Sequence, residues 1–157
     1  MKQHHYKIAL EWTGNEGDGT KNYRSYNRNH KVNVAGKQQE ILGSSDPSFL
    51  GDPSRYNPEE LFLSSIASCH MLWYLHLCSA HKITVTEYLD QATGIMEETE
   101  SGSGRFTSVT LYPQVKIKEV DMIGKANELH EAANQMCFIA NSCNFKIQHQ
   151  PITKVKL

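Results

Sequence analysis

The chain has 157 residues, 39% hydrophobic and 21% charged, which is the balance of a globular protein rather than of a disordered or fibrous one. Its 16 basic residues nearly balance its 17 acidic residues, so composition gives no support for a nucleic-acid partner. The length predicts a single domain over residues 1–157.

The N-terminal segment MKQHHYKIALEW lacks the apolar core of a signal peptide. No window of the sequence approaches the roughly 18 apolar residues that are needed to span a bilayer. We therefore expect a cytoplasmic protein with no membrane partner. Four cysteines in such a chain should stay reduced, so packing, metal binding or redox chemistry must account for them.

The first third of the chain is expected to form an antiparallel meander. Segments 4–12 and 23–34 flank the glycine-rich turn GNEGDG, and QEIL at 39–42 adds a short strand. Residues 43–56 are rich in Gly, Pro, Ser and Asp, which predicts a loop. A loop of this length in a compact domain is often functional.

The sequence Asn57-Pro58-Glu59-Glu60 predicts the start of a helix. Asn is a preferred N-cap, Pro suits the first helical position, and a Glu three residues after the cap reaches back to the cap amide. We expect this helix to run to about Ala80. Apolar residues lie on nearly all faces of this helix, which predicts a buried central helix. The expected core stripe is Phe62, Ile66, Cys69, Trp73 and Leu77.

The remaining sequence alternates strand and helix patterns. Segments 83–98 and 105–118 are rich in β-formers and are joined by ESGSGR, which predicts a hairpin. A second helix is expected over 121–141, and the tail from 144 predicts a last strand. This order predicts an α+β fold with antiparallel sheets. The second helix should bury a stripe of small residues, namely Ala126, His130, Ala133, Cys137 and Ala140.

Two of the four cysteines, Cys69 and Cys137, lie on the inward stripes of the two predicted helices, where facing thiols can come within disulfide range. Cys78 and Cys143 are assigned to packing. A thiol with an ordinary pKa of about 8.5 needs a nearby cation to react at neutral pH. The candidate cations are Arg24, Arg28, Arg55 and Arg105.

Several histidines accompany these cysteines. Cys69 with His76, or Cys137 with His130, could share a helix face and bind a metal. Metal sites usually use closer pairs such as CxxC, so hydrogen-bonded core histidines are the preferred interpretation. The histidines concerned are His30, His70, His76 and His130.

Three segments of the chain resemble the OsmC/Ohr family. NPEELFLSSIASC at 57–69 is similar to the family's helix-opening motif, in which a Glu follows Asn-Pro and the peroxidatic Cys comes ten residues later, as Glu59 and Cys69 do here. CFIANSCN at 137–144 resembles the second-cysteine motif Cys-Pro-x-Ser-Asn, with Phe138 in place of Pro. GRFTSVTLYPQV at 104–115 resembles the strand between them.

The resemblance implies an OsmC-like fold with antiparallel sheets around two central helices, in an intertwined homodimer. It also implies a cofactor-free peroxidase acting on organic hydroperoxides. Peroxide would oxidise Cys69 to a sulfenic acid, Cys137 would condense with it, and an external dithiol or lipoylated protein would reduce the resulting disulfide. The runner-up function is a non-catalytic module of the same fold that binds a small hydrophobic ligand near Cys69.

The family's catalytic arginine has no clean counterpart here, because GNEGDG and EILGSS both lack Arg. Arg55 and Arg28 are the substitutes, with Glu59 as the ion-pair partner that orients the cation. A guanidinium within about 4–6 Å of Cys69 would favour the enzyme over the binding module. Ten helical residues separate Glu59 from Cys69 by about 15 Å, so we expect each Glu59 to serve the Cys69 of the other subunit.

Overall fold

The computed structural model describes residues 1–156. The chain forms two compact units, Met1–Leu61 and Phe62–Leu157. The prediction of one domain over residues 1–157 is not tested by this division and stays a prediction.

The Met1–Leu61 unit contains a three-stranded antiparallel sheet in the order β1 (Ala9–Trp12), β2 (His30–Asn33) and β3 (Ile41–Gly43). This confirms the predicted meander. In the turn after β1, the Asn15 side chain accepts hydrogen bonds from the Gly17 and Gly19 amides, each 3.0 Å long. Both glycines have positive φ angles, which explains the glycines at these positions.

The loop before the first long helix is ordered by side-chain caps. Asp46 accepts from the Ser48 amide at 2.8 Å at the start of a short 3-10 turn, Pro47–Phe49. The Ser44 hydroxyl is buried and accepts from the Asp52 amide at 3.0 Å. The predicted loop is therefore a defined structure in which polar side chains satisfy the backbone.

Helix α1 spans Pro58–Ala80 without interruption, as predicted. Its start is a reciprocal capping box. The Asn57 side chain accepts from the Glu60 amide at 2.8 Å, and the Glu60 carboxylate accepts from the Asn57 amide at 3.1 Å. A cap of this kind contributes about 1 kcal/mol to stability.

Two mixed sheets and a second helix make up the Phe62–Leu157 unit. The strands are β4 (Val85–Asp90), β5 (Thr93–Glu98), β6 (Gly104–Leu111), β7 (Pro113–Ile117), β8 (Ile147–His149) and β9 (Ile152–Val155), and helix α2 spans Ile123–Met136. The sheet orders are β4-β7-β9 and β5-β6-β8. This arrangement confirms the α+β class.

The C-terminal strands differ from the expected antiparallel pairing. β8 is parallel to β6, and β9 is parallel to β7. The intervening α2 segment carries the chain back across the unit, and such a crossover is what parallel pairing requires. A tight hairpin would have forced the antiparallel arrangement that the sequence suggested.

Each of the two long predicted strands is divided in two. β5 and β6 form the predicted hairpin, whereas β4 pairs with β7 in the other sheet. The break between β6 and β7 falls at Tyr112-Pro113. Pro113 lacks an amide hydrogen, and the Tyr112 amide donates to the Asp90 carboxylate at 2.7 Å. The chain can therefore change sheets at this point without losing a backbone hydrogen bond.

Helix α2 ends five residues before the predicted boundary at 141. Cys137 has an extended backbone, with φ −71° and ψ 110°, and its amide donates to the Asn134 carbonyl. A short 3-10 turn, Ala140–Ser142, follows. Cys137 is therefore the first residue beyond α2 and not part of its last turn.

The buried stripe of α1 is Ile66, His70, Tyr74 and Cys78. The predicted stripe through Cys69 and Trp73 is therefore wrong, although Ile66 belongs to both. Residues four apart lie on one face of a helix, and tertiary packing selected the face beside the predicted one. The prediction for α2 holds better, because Ala126, His130, Ala133 and Cys137 are all fully buried.

Helix α1 is also long and apolar enough, by composition, to cross a membrane. Its best 18-residue window has a mean hydropathy of 1.3, so the sequence-based exclusion of such a window was too strong. The core helix of a soluble protein passes the same test. One core cluster of the Phe62–Leu157 unit takes Tyr74 and Cys78 from α1, and it includes Val115 and Ile117 from β7 and Ala126, Leu129 and Ala133 from α2.

Candidate active site

Cys69 and Cys137 lie side by side. Cys69 is in the middle of α1 and is half-buried, whereas Cys137 is fully buried at the end of α2. The Cys69 side chain is close enough to Cys137 to raise the pKa of the Cys137 thiol. The Ala140 amide donates to the Cys137 sulfur, at 3.3 Å. The structure therefore brings together the two cysteines that the sequence singled out.

The two cysteines differ in accessibility. Burial raises the pKa of Cys137 to about 11, and the nearby Cys69 side chain contributes in the same direction. Cys137 is thus a neutral thiol at neutral pH. Cys69 is the more exposed of the two residues, so a reagent from solution meets Cys69 first. This order suits an attacking Cys69 and a resolving Cys137.

An aromatic pair bridges the two segments that carry the thiols. The rings of Trp73 and Phe138 meet edge to face, with centroids 5.8 Å apart and an interplanar angle of 86°. Trp73 is one helical turn after Cys69, and Phe138 directly follows Cys137. Phe138 stands where the family motif has Pro, and 65% of its surface is exposed. The surroundings of the thiol pair therefore include apolar surface.

The buried histidines form hydrogen bonds, as the sequence interpretation expected. His70 Nε2 and His130 Nδ1 are 3.0 Å apart, and one ring donates to the other. That these two residues pair with each other was not predicted, nor was the nearby ring of His149, whose centroid is 5.7 Å from that of His70. The spacing of Ile66, His70 and Tyr74 places them on one face of α1, but it does not indicate the partner of His70.

The predicted cation and its partner belong to the Met1–Leu61 unit. The Arg28 guanidinium donates to the carbonyls of Tyr26 and Tyr23, at 2.5 and 2.6 Å, and lies over both rings. Arg55 Nε lies 3.5 Å from the Asp52 carboxylate. Glu59 is in the first turn of α1. The catalytic roles assigned to Arg28, Arg55 and Glu59 stay predictions.

The other two cysteines have the properties of packed thiols. Burial raises the pKa of both Cys78 and Cys143. The Cys143 thiol donates to the Ile139 carbonyl at 3.3 Å. Cys143 also lines a surface cavity of about 370 Å³ together with Arg105 and three phenylalanines, Phe62, Phe106 and Phe145. Arg105 thus accompanies Cys143. Within residues 1–156, no group of three or more His, Cys, Asp or Glu side chains is arranged to hold a metal ion.

Comparison with known families identifies the architecture. The family model described as OsmC-like protein matches residues 51–151, which include both cysteines and the capping box of α1. The chain belongs to the OsmC-like protein family. Among curated proteins, no sequence matches this family member significantly.

Solved structures agree with that assignment. An OsmC-like protein of unknown function from Vibrio cholerae is 27% identical, with a TM-score of 0.85 over 96% of this chain and 100% of the other. An organic hydroperoxide resistance protein from Elizabethkingia anophelis, with thiocyanate bound, is 20% identical, with a TM-score of 0.68 over 98% and 100%.

A putative organic hydroperoxide resistance protein from Vibrio cholerae, with captopril bound in one of its active sites, is 21% identical, with a TM-score of 0.65 over 95% of this chain and 93% of the other. At this level of identity the two hydroperoxide resistance proteins establish the shared fold and no more.

Proposed function

We propose that this OsmC-like protein is a thiol peroxidase that reduces organic hydroperoxides, with Cys69 as nucleophile and Cys137 as resolving thiol. The observation that carries the proposal is the close approach of a half-buried thiol, Cys69, to a fully buried one, Cys137. The family includes proteins described as organic hydroperoxide resistance proteins. The apolar surface of Trp73 and Phe138 beside the thiols suits a substrate with a hydrocarbon group.

The proposed reaction has three balanced steps. The Cys69 thiolate attacks one peroxide oxygen, the O–O bond breaks, and the alkoxide takes a proton and leaves as the alcohol. Cys69 is then a sulfenic acid. The Cys137 thiol condenses with it, so that an S–S bond forms and water leaves. An external dithiol or a lipoylated protein finally reduces the disulfide by two electrons and is itself oxidised. No cofactor takes part, and we propose that the reaction occurs in the cytoplasm.

A cation beside Cys69 would increase its thiolate fraction. We propose that Arg55 or Arg28 supplies it, oriented by Glu59, in a homodimer whose active sites are shared between subunits. The unbroken α1 supports this, because Glu59 and Cys69 are ten residues apart within it. Exposed apolar side chains support a second copy. They include Ile8, Leu10 and Leu42 in the Met1–Leu61 unit, and Leu72 in the other.

The proposed chemistry is tested by oxidising the fully reduced protein with one equivalent of cumene hydroperoxide. We expect an intramolecular disulfide between Cys69 and Cys137, because their side chains lie close together. Peptide mapping by mass spectrometry without reduction would identify it. The matched control is the same treatment with hydrogen peroxide, which lacks the hydrocarbon group.

Bridging of Cys78 or Cys143 would show that the assignment of the resolving thiol is wrong. A Cys69 that remains a free thiol after treatment would reject the peroxidase. It would favour the alternative function, a module that binds a small hydrophobic ligand near Cys69.

The shared site is tested by mixing two inactive chains. A Cys69→Ser chain and a Glu59→Ala chain should each be nearly inactive as homodimers. If Glu59 acts on the partner's Cys69, a heterodimer of the two contains one site with both native residues. We therefore expect co-refolded mixtures to recover activity in proportion to the heterodimer formed, measured as hydroperoxide consumption with a dithiol.

A Cys69→Ser chain mixed with a Cys69→Ser, Glu59→Ala chain is the control, since no subunit then carries the nucleophile. Mixtures of the first pair that stay as inactive as their parents would refute the shared site.

A further inference from the structure

Two imidazoles are buried in the Phe62–Leu157 unit. The relative exposure of His70 is 1% and that of His130 is 0%. Their facing nitrogens are 3.0 Å apart, while the ring centroids are 5.3 Å apart and the planes differ by 7°. The rings therefore meet edge to edge in one plane, which is the geometry of a direct N–H···N hydrogen bond and not of face-to-face stacking.

The His130 ring is held from a second direction by Tyr74. Their centroids are 3.9 Å apart and their planes differ by 11°, so the Tyr74 ring covers one face of the imidazole. His70 and Tyr74 are four residues apart on α1, so both contacts to His130 come from one stripe of that helix. His130 is thus fixed along its edge and across its face by the same helix.

A buried histidine pair stabilises a core less than an apolar pair of similar volume would. His70 Nδ1 and His130 Nε2 are buried and have no hydrogen-bond partner among residues 1–156. Burial lowers the pKa of His70 to about 4 and that of His130 to about 3, so both rings are neutral at neutral pH. An apolar pair of similar volume would avoid these costs. Directional polar pairs are known instead to fix the register of packed helices.

The pair lies close in sequence to the two thiols. His70 directly follows Cys69 on α1. His130 is on α2 two helical turns before Cys137, which follows the last residue of that helix. The imidazole contact and the thiol contact therefore join the same two segments. A displacement of α1 along α2 would change both contacts together.

We propose that the His70–His130 hydrogen bond is a positioning contact, which fixes the register of α1 on α2 and thereby holds Cys69 within bonding distance of Cys137. This inference uses the thiol pair of the proposed function, but it does not depend on a peroxide as the oxidant. His70 and His130 are positioning residues and not catalytic ones, since each acts through the cysteine beside it.

Disulfide geometry makes register important. The two Cβ atoms must be about 3.5–4.5 Å apart for an unstrained bond. A shift of one residue along a helix moves a side chain by about 1.5 Å and rotates it by roughly 100°. A hydrogen bond resists such a shift because it depends on direction, whereas a non-directional contact between apolar side chains tolerates it.

The test is the equilibrium between the reduced protein and oxidised dithiothreitol. Cys69 and Cys137 lose two electrons and two protons as their S–S bond forms, and the dithiothreitol disulfide gains them. We expect the double variant His70→Leu, His130→Leu to lower the equilibrium constant for closing the disulfide by roughly tenfold to a hundredfold. Replacing both rings leaves no unpaired imidazole, so the variant should still fold.

Conservative variants provide the rescue. Asn places a polar atom near the position of His Nδ1, and Gln places one near Nε2, so His130→Asn and His70→Gln are expected to keep the closing constant within about threefold of the wild type. His81→Leu is the matched control. His81 lies just beyond α1, is exposed, and its ring contacts the Leu77 carbonyl, away from the pair.

A folded double-Leu variant with the wild-type closing constant would overturn the proposal, as would conservative variants that lose as much as the Leu variant. If the Leu variant does not fold, ¹⁵N NMR of the wild type decides. Coupling across the hydrogen bond between the His70 and His130 nitrogens is expected, and its absence would refute the contact. Because no peroxide is used, these results stand apart from any failure of the peroxidase assay.

Discussion

Replacing Cys69 with serine is expected to slow the consumption of organic hydroperoxide by roughly a thousandfold or more. A serine hydroxyl is not ionised at neutral pH and is a far weaker nucleophile toward peroxide oxygen than a thiolate. The measurement is the steady-state loss of cumene hydroperoxide in the presence of a dithiol. Thermal unfolding of the variant should match that of the wild type, because Cys69 is only half-buried.

The Cys137→Ser variant should behave differently from Cys69→Ser. The first oxidation still occurs, but no thiol is available to condense with the sulfenic acid. Cys69 should accumulate as sulfenic acid and, with excess peroxide, go on to the sulfinic form. Mass spectrometry of intact protein would record both additions of oxygen.

Cys143→Ser is the matched control for both cysteine variants. Cys143 is another half-buried thiol, six residues beyond Cys137, and it hydrogen-bonds to the Ile139 carbonyl. Activity near the wild-type level is expected. A Cys143→Ser variant as inactive as Cys69→Ser, or an active Cys69→Ser protein, would contradict the assignment of the nucleophile.

The second large effect is a loss of stability in mild acid. Burial lowers the pKa of His70 to about 4 and that of His130 to about 3, from 6.5 in the unfolded chain, and the charge of nearby His149 contributes to both shifts. Below pH 6.5 the unfolded state therefore binds more protons than the folded state, and stability falls as the pH falls. Each histidine lowers the free energy of unfolding by up to about 1.4 kcal/mol for each unit by which the pH falls in this range.

Between pH 7 and pH 5 the free energy of unfolding should decrease by about 4 kcal/mol, or about 2 kcal/mol for each histidine. That is a large part of the roughly 5–15 kcal/mol that stabilises a typical domain. Carboxylates with a lowered pKa, such as Glu87 and Glu119, lose most of their contribution only below the ordinary glutamate pKa of 4.5. The loss of these two carboxylate contributions therefore falls mostly outside the interval from pH 7 to pH 5.

Urea unfolding at pH 7 and pH 5 measures the effect. The His130→Asn variant removes one of the two titrating groups, so its stability should fall by about 2 kcal/mol over the same interval. His81→Asn keeps both buried histidines and should lose as much as the wild type. Asp90, whose pKa is raised by burial, opposes the trend but is common to all three proteins. An equal pH dependence in His130→Asn and the wild type would contradict the buried-histidine origin.

Local sequence determined much of this protein. The capping box at Asn57 and Glu60 depends on four consecutive residues, and the structure forms it as expected. The N-terminal meander and the β5–β6 hairpin likewise follow from alternation and turn residues that lie close together in the chain. The motifs at 57–69 and 137–144 together indicated the OsmC-like family, to which the chain belongs.

Tertiary structure decided what local patterns left open. Because α1 is apolar on several faces, periodicity could not select the stripe that packs, and the contacts of His70 and Tyr74 with His130 made that choice. The parallel pairing of β8 and β9 depends on where the chain returns after α2. Residues 60 positions apart, such as His70 and His130, meet only through packing of the whole unit, and no local pattern in the chain encodes such a contact.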